Sequence, residues 1–149
     1  MTREEKCQLA KTRGYSYNVE TGQVVNKHGK QIKKNVRGYT TIQMKVQDKI
    51  FYLYGHHFAW WSTYNECVFE LDHINGIRND NRIENLRSVT RSQNQWNRLT
   101  AKGYSLNRSK NKYEAQIKFN DKRKFLGLFE TEEEARNAYL AAKQIYHVI

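Results

Sequence analysis

The sequence predicts an α+β protein built from small modules. These are an N-terminal small antiparallel sheet, a central strand–loop–strand–helix (ββα) finger, and a C-terminal three-stranded sheet packed on one helix. Three observations carry this. Ile42, Met44 and Val46 alternate with polar residues, as do Ala115, Ile117 and Phe119, which is the period of half-buried strands. Thr131-Glu132-Glu133-Glu134 is a capping box, and Ala135, Ala138, Tyr139 and Ala142 follow it at helical spacing. Hydrophobic residues make up only 38% of the chain, much of it Tyr and Trp, so several small cores are expected rather than one large core.

The elements follow in order. Residues 1–13 are short and charged and fit a helix. Residues 15–19 and 23–25 are β-prone runs around the turn signal Glu20-Thr21-Gly22, and His28-Gly29-Lys30 marks a second turn. Residues 38–46 form a strand, Asp48 turns the chain, and residues 50–54 supply the partner. One small antiparallel sheet is the expected product. Lys27, Lys30, Lys33, Lys34, Arg37 and Lys45 place positive charge on it.

Residues 56–64 open with His56-His57-Phe58-Ala59-Trp60-Trp61 and predict a helix. Its aromatic residues serve a core. One of His56 and His57 is expected to pack or hydrogen-bond, and the other to be exposed. Residues 68–71 form a short strand that delivers Asp72 and His73. Strand neighbours point to opposite faces, so both serve one site only if the chain bends there, and Asn75-Gly76 supplies a bend. Asn79, Asn81 and Asn85 sit in a loop suited to side-chain–backbone hydrogen bonds. Asn75, Asn79, Asn81 and Asn97 hold the loop or touch a phosphate. Residues 86–89 return as the second strand, and Thr90, or alternatively Ser92, caps a helix over 91–98 that carries Asn94.

The net charge is +11, which favours a polyanionic partner such as nucleic acid and salt-sensitive binding. The plainer alternative is a basic protein with a solvated face. Cys7 and Cys67 match no metal-knuckle spacing and fit a reducing compartment. No stretch is long or apolar enough to span a bilayer, and no signal-peptide core is present, so a cytoplasmic location is expected.

The pattern Asp72-His73-x-x-Gly76, then Asn79-x-Asn81-Arg82-x-x-Asn85-Leu86-Arg87, then Asn94, resembles the HNH nucleases with their ββα-metal fold. It is most similar to the homing endonucleases of phage introns. Residues 54–61 resemble the helix that precedes the motif in those proteins, with His56 and Trp60 at its His and Trp positions. The resemblance implies a DNA endonuclease in which His73 is the general base and Asn85 orients its imidazole through a hydrogen bond. It implies that Asp72 and Asn94 hold one divalent metal ion. The last position is often His in that family, and the amide of Asn94 makes the set all-oxygen, which suits Mg2+ or Mn2+ rather than zinc. The residues support this chemistry independently. A neutral imidazole near its reference pKa of roughly 6.5 takes a proton from water, and one cation stabilises charge on the phosphate.

In the last third, residues 103–106, 113–119 and 123–129 read as three strands, with turns at Asn111 and at Asn120-Asp121, ahead of the capped helix. Residues 99–102 are a junction. Gly103-Tyr104-Ser105, residues 112–117, Phe125-Leu126-Gly127-Leu128-Phe129 and the helix start resemble the ethylene-response-factor (APETALA-type) DNA-binding domain. That implies a sheet lying in the major groove. Tyr113 stands for that family's Trp and Tyr104 for its Val, so base preference does not transfer. Candidate DNA contacts are Arg108, Lys110, Lys112, Gln116, Lys118, Arg123 and Lys124, with Lys33, Lys34 and Arg37 in the first module; Arg and Gln suit base edges and Lys suits phosphate. The expected organisation is therefore residues 1–50 as a strand-rich DNA-contacting region, 51–98 as the nuclease and 99–149 as a DNA-binding domain. The whole would act as a monomer on double-stranded DNA without a membrane. The rival expectation is a non-catalytic DNA-binding regulator with a decayed nuclease module. A structure-specific or RNA-directed nuclease is a third.

Overall fold

The computed structural model describes all residues except Asn97, Leu99 and Ile149. The expectations placed on Asn97 and Leu99 lie outside the described residues. The architecture is α+β with small antiparallel sheets, and the chain divides into two units, residues 1–97 and 98–149.

The first unit begins with helix α1 (Arg3–Thr12). Thr2 and Glu5 form a capping box: the Thr2 hydroxyl accepts from the Glu5 N–H at 3.2 Å, and the Glu5 carboxylate accepts from the Thr2 N–H at 2.6 Å. Two hairpins follow, β1 (Ser16–Tyr17) with β2 (Val24–Val25), and β3 (Thr41–Val46) with β4 (Lys49–Tyr54). The single sheet expected here is corrected to two separate ones. The reason lies between them. The side chain of Asn26 accepts from the His28 and Lys30 N–H groups, and that of Asn35 from the Arg37 and Tyr39 N–H groups. These turns take up the N–H groups of His28, Lys30, Arg37 and Tyr39, and between the hairpins isolated bridges lie at Val25–Gln31 and Lys34–Thr40.

Helix α2 (Gly55–Tyr64) follows β4 directly and ends on Asn65 in the left-handed conformation, φ 54°. Its Phe58 and Trp61 join Cys7, Ala10, Val24, Ile42, Met44 and Leu53 in one core. Trp60 lies at the margin, its indole N–H donating to Glu66 at 3.2 Å. The finger comes next: β5 (Glu70–His73), a 3-10 turn (Ile83–Asn85), β6 (Leu86–Val89) and α3 (Arg91–Trp96). The two strands pair antiparallel, with Asp72 opposite Arg87 and His73 opposite Leu86. Thr90 caps α3 as expected. Its hydroxyl accepts from the Gln93 N–H, and the Gln93 side chain accepts from the Thr90 N–H.

The second unit is a sheet in the order β7 (Tyr104–Asn107), β8 (Lys112–Phe119), β9 (Lys122–Phe129), with α4 (Glu132–Tyr146) across one face. Asn111, Asn120 and Asp121 take positive φ in the two hairpin turns. The capping box at Thr131 and Glu134 is present, and Ala135, Tyr139 and Ala142 are buried. Tyr139 and Ala142 pack against Ile117. No helix among the described residues is long and apolar enough to cross a membrane.

His56 is buried and His57 is half-buried, which corrects the expectation that one would be exposed. Burial pushes the His57 imidazole down to about 3 and holds His56 well below the usual range. Both imidazoles are therefore neutral in the folded unit, whereas an unfolded histidine titrates near 6.5. The His57 contribution to stability is complete above about pH 6.5 and is lost as pH falls toward 3, at up to about 1.4 kcal/mol per pH unit, and His56 acts in the same direction. The melting temperature of the first unit should thus fall steeply between pH 6.5 and 4. His57→Phe should flatten that fall, whereas parallel slopes for the two proteins in thermal melts would contradict it.

Candidate active site

The site lies where β5 ends. His73 is the last residue of that strand, and the chain turns at once: the Gly76 N–H donates to the His73 carbonyl at 2.9 Å, with Gly76 at φ 73°. Glycine adopts that conformation without strain. Asp72 and His73, as strand neighbours, lie on the two sides of the strand.

On one side His73 is buried. Its ring stands edge-on to His56 at 5.1 Å between centroids, and Tyr39 lies 6.1 Å away. The Nε2–H of His73 donates to Asn81 Oδ1 at 3.1 Å. With an amide oxygen opposite Nε2, the ring proton belongs there and Nδ1 is the basic nitrogen. Burial lowers the pKa of this imidazole, while the bond to Asn81 and the carboxylates of Asp72 and Asp80 oppose that shift. A ring held this way is a competent proton acceptor near neutral pH.

The partner of His73 corrects the sequence reading. Asn85 was expected to hold the imidazole. Its amide is instead spent on the loop backbone: Nδ2 donates to the Asp80 carbonyl at 2.8 Å, and Oδ1 accepts from the Asn75 N–H at 3.0 Å. Asn85 thereby closes the loop whose buried Asn81 faces the ring. Asp80 stiffens the same loop. It accepts from the Arg82 guanidinium at 2.7 and 2.8 Å and from Asn75 Nδ2 at 2.8 Å, and the Arg82 bonds above all hold its carboxyl at about 2. Asn81 is further fixed by the Tyr17 hydroxyl, which donates to its carbonyl at 2.8 Å. Gly22 tightens the same approach, since a Cβ there would lie 2.5 Å from the Arg82 nitrogen. The spacing Asn79-x-Asn81-Arg82 was visible, but nothing local distinguishes Asn81 from its neighbours as the ring's partner.

On the other side of β5, Asp72 Oδ2 accepts from Arg87 Nε at 3.0 Å and Nη2 at 2.8 Å, across the strand pair. Glu70, two residues earlier, shares this face. Helix α3 delivers Asn94, whose Nδ2 donates to Glu70 Oε2 at 2.5 Å. Glu70 was not singled out from the sequence, although the strand period places it beside Asp72. Among the described residues no group of three or more His, Cys, Asp or Glu side chains is arranged to hold a metal ion. The oxygens of Asp72 and Asn94, with Glu70 beside them, nevertheless fit a hard cation by donor type. Magnesium in particular keeps several waters and needs only one or two carboxylates besides substrate phosphate.

The candidate DNA contacts divide by face. Lys33, Lys34 and Arg37 are exposed, and Arg78 sits beside them, donating to the Arg37 carbonyl at 3.0 Å while lying over Tyr39. Arg108 and Lys110 are exposed in the β7–β8 turn. Ala115 and Ile117 face α4, so Lys112, Gln116 and Lys118 lie on the open face, with Arg123 opposite Lys118. Lys112 is paired with Glu130 at 2.7 Å and Lys118 with Asp121 at 3.2 Å. Lys124 is a correction. It pairs with Ile117, so it lies on the helix side, where its ammonium meets the Tyr146 hydroxyl and ring. The open face also carries Phe125, exposed and opposite Gln116, which the sequence reading passed over.

No curated protein and no solved structure matches the chain significantly. Residues 55–96, from the start of α2 to the end of α3, match the family model described as HNH endonuclease, and this domain, which holds Asp72, His73, Asn85 and Asn94, supports a nuclease that acts on nucleic acid.

Proposed function

We propose that the chain is a metal-dependent endonuclease that hydrolyses phosphodiester bonds in double-stranded DNA, of the phage nicking or homing type. The observation that carries this is His73: a buried imidazole whose Nε2–H donates to Asn81 Oδ1. A phosphate lying across the end of β5 meets His73 on one side and Asp72 on the other. Nδ1 of His73 takes a proton from water as the water oxygen bonds to phosphorus. The bond from phosphorus to the 3′ oxygen then breaks, and the departing oxygen takes a proton from solvent water. Asp72 and Asn94 would hold one Mg2+ or Mn2+, which when bound would stabilise charge on the phosphate and on the leaving oxygen. Asn85 acts at one remove, by closing the loop that presents Asn81.

Grip comes from the basic surfaces. Lys33, Lys34 and Arg37 serve the first unit. Arg108, Lys110, Lys112, Gln116, Lys118 and Arg123 serve the open sheet face of the second, in keeping with its resemblance to the ethylene-response-factor domain. One cation site per chain makes the protein a nickase as a monomer. Supercoiled plasmid incubated with Mg2+ or Mn2+ should therefore give open circles before linear DNA, and chelator should stop the reaction. Tight DNA binding without cutting in either metal would instead favour a regulator with a decayed nuclease. Preferential cutting of branched DNA or RNA would redirect the substrate.

A further inference from the structure

We infer that Glu70 is a positioning residue for the cation site, acting by fixing the side-chain amide of Asn94. The inference rests on the proposal that Asp72 and Asn94 hold a divalent ion. Glu70 Oε2 and Asn94 Nδ2 are 2.5 Å apart, between residues 24 positions apart in the chain. A carboxylate only accepts, and an amide donates only through nitrogen. The bond therefore sets which end of the amide is which. The nitrogen is committed to Glu70, and the oxygen is the end left for a cation.

Without that bond the amide has two orientations of similar energy, and one of them aims N–H groups at the ion. Asp72 is steadied in a parallel way by Arg87, which grips Oδ2 from the opposite strand. Each proposed ligand thus has one polar atom held by a side chain that is not itself a ligand. Glu70 and Asp72 share a strand face, so a single strand supplies both the carboxylate ligand and the group that orients the amide ligand.

The test is a titration of the full-length protein with Mn2+, with free Mn2+ followed by electron paramagnetic resonance. Glu70→Ala should weaken binding about 10–100-fold, the usual effect of losing an outer partner of a ligand. Glu70→Gln should stay within about threefold, because its amide oxygen accepts the same bond. Glu70→Leu keeps the side-chain bulk without an acceptor and should behave as Glu70→Ala. Melts in chelator separate loss of fold from loss of metal. Unchanged binding in Glu70→Ala and Glu70→Leu would overturn the inference. Glu70→Gln as weak as Glu70→Ala would overturn it too, because charge rather than orientation would then be what matters. A wild-type protein that binds no Mn2+, or an Asp72→Ala variant that binds it normally, overturns the cation site itself.

Discussion

His73→Ala is expected to lower the rate of DNA cleavage by about 10²–10⁴-fold, the usual worth of a positioned general base. Affinity for DNA should hardly change. The expectation is specific because the ring has one arrangement in this fold. Its Nε2 is tied to Asn81, it is packed edge-on to His56, and burial lowers its pKa. Asn85 cannot take the proton in its place, since its amide is occupied and amides are not bases. Plasmid nicking under single-turnover conditions measures the step, and gel shift on the same DNA measures binding. Asn81→Ala should also slow cleavage, but less than loss of the ring itself. Equal cutting by wild type and His73→Ala would remove the imidazole from the mechanism.

Gly103→Ala should unfold most of the second unit while the first keeps its melting transition. Gly103 has φ 76°, and a Cβ there would lie 1.9 Å from Tyr139 Cγ, with the ring's δ carbons at 2.2 and 2.4 Å. Tyr139 is buried against Ile117 and cannot swing aside without emptying that core. The Gly103 carbonyl also accepts from the Gln116 N–H at 3.0 Å, which holds the backbone in place. The left-handed conformation costs alanine about 1–2 kcal/mol and the overlap about 1–3 kcal/mol more. A unit of this size commonly has only about 3–5 kcal/mol in hand. Thermal melts and amide NMR dispersion should therefore show that unit collapsing, and DNA affinity should fall at least about tenfold if the unit has the grip proposed for it. Normal melting of Gly103→Ala would mean that Tyr139 has room the structure does not give it.

Several local features were legible in the residues. The N-cap at Thr90 and the capping box at Thr131 could be read because the partners lie within three residues. The strand period of residues 42–46 and 115–119 was likewise a nearest-neighbour property. The bend after His73 was marked by Asn75-Gly76. What could not be read were pairings between distant segments. The number of N-terminal sheets depended on how Asn26 and Asn35 spent their side chains. Lys124 was counted among groove-facing residues because composition does not say which side of β9 it takes. Strand register does say, and a shift of one residue reverses the face.

For this chain the amino-acid order alone determined the main helices and strands, the caps at Thr90 and Thr131, and the Asp72-His73 step at the end of a strand, because each depends on backbone preferences within a few residues. Tertiary structure alone decided that Asn81 rather than Asn85 meets His73, that Asn94 meets Glu70, and that His56 and His57 are both withdrawn from water. Those outcomes belong to side chains brought together by packing and register. Several chemically equivalent amides compete for each partner, and only the folded geometry selects among them.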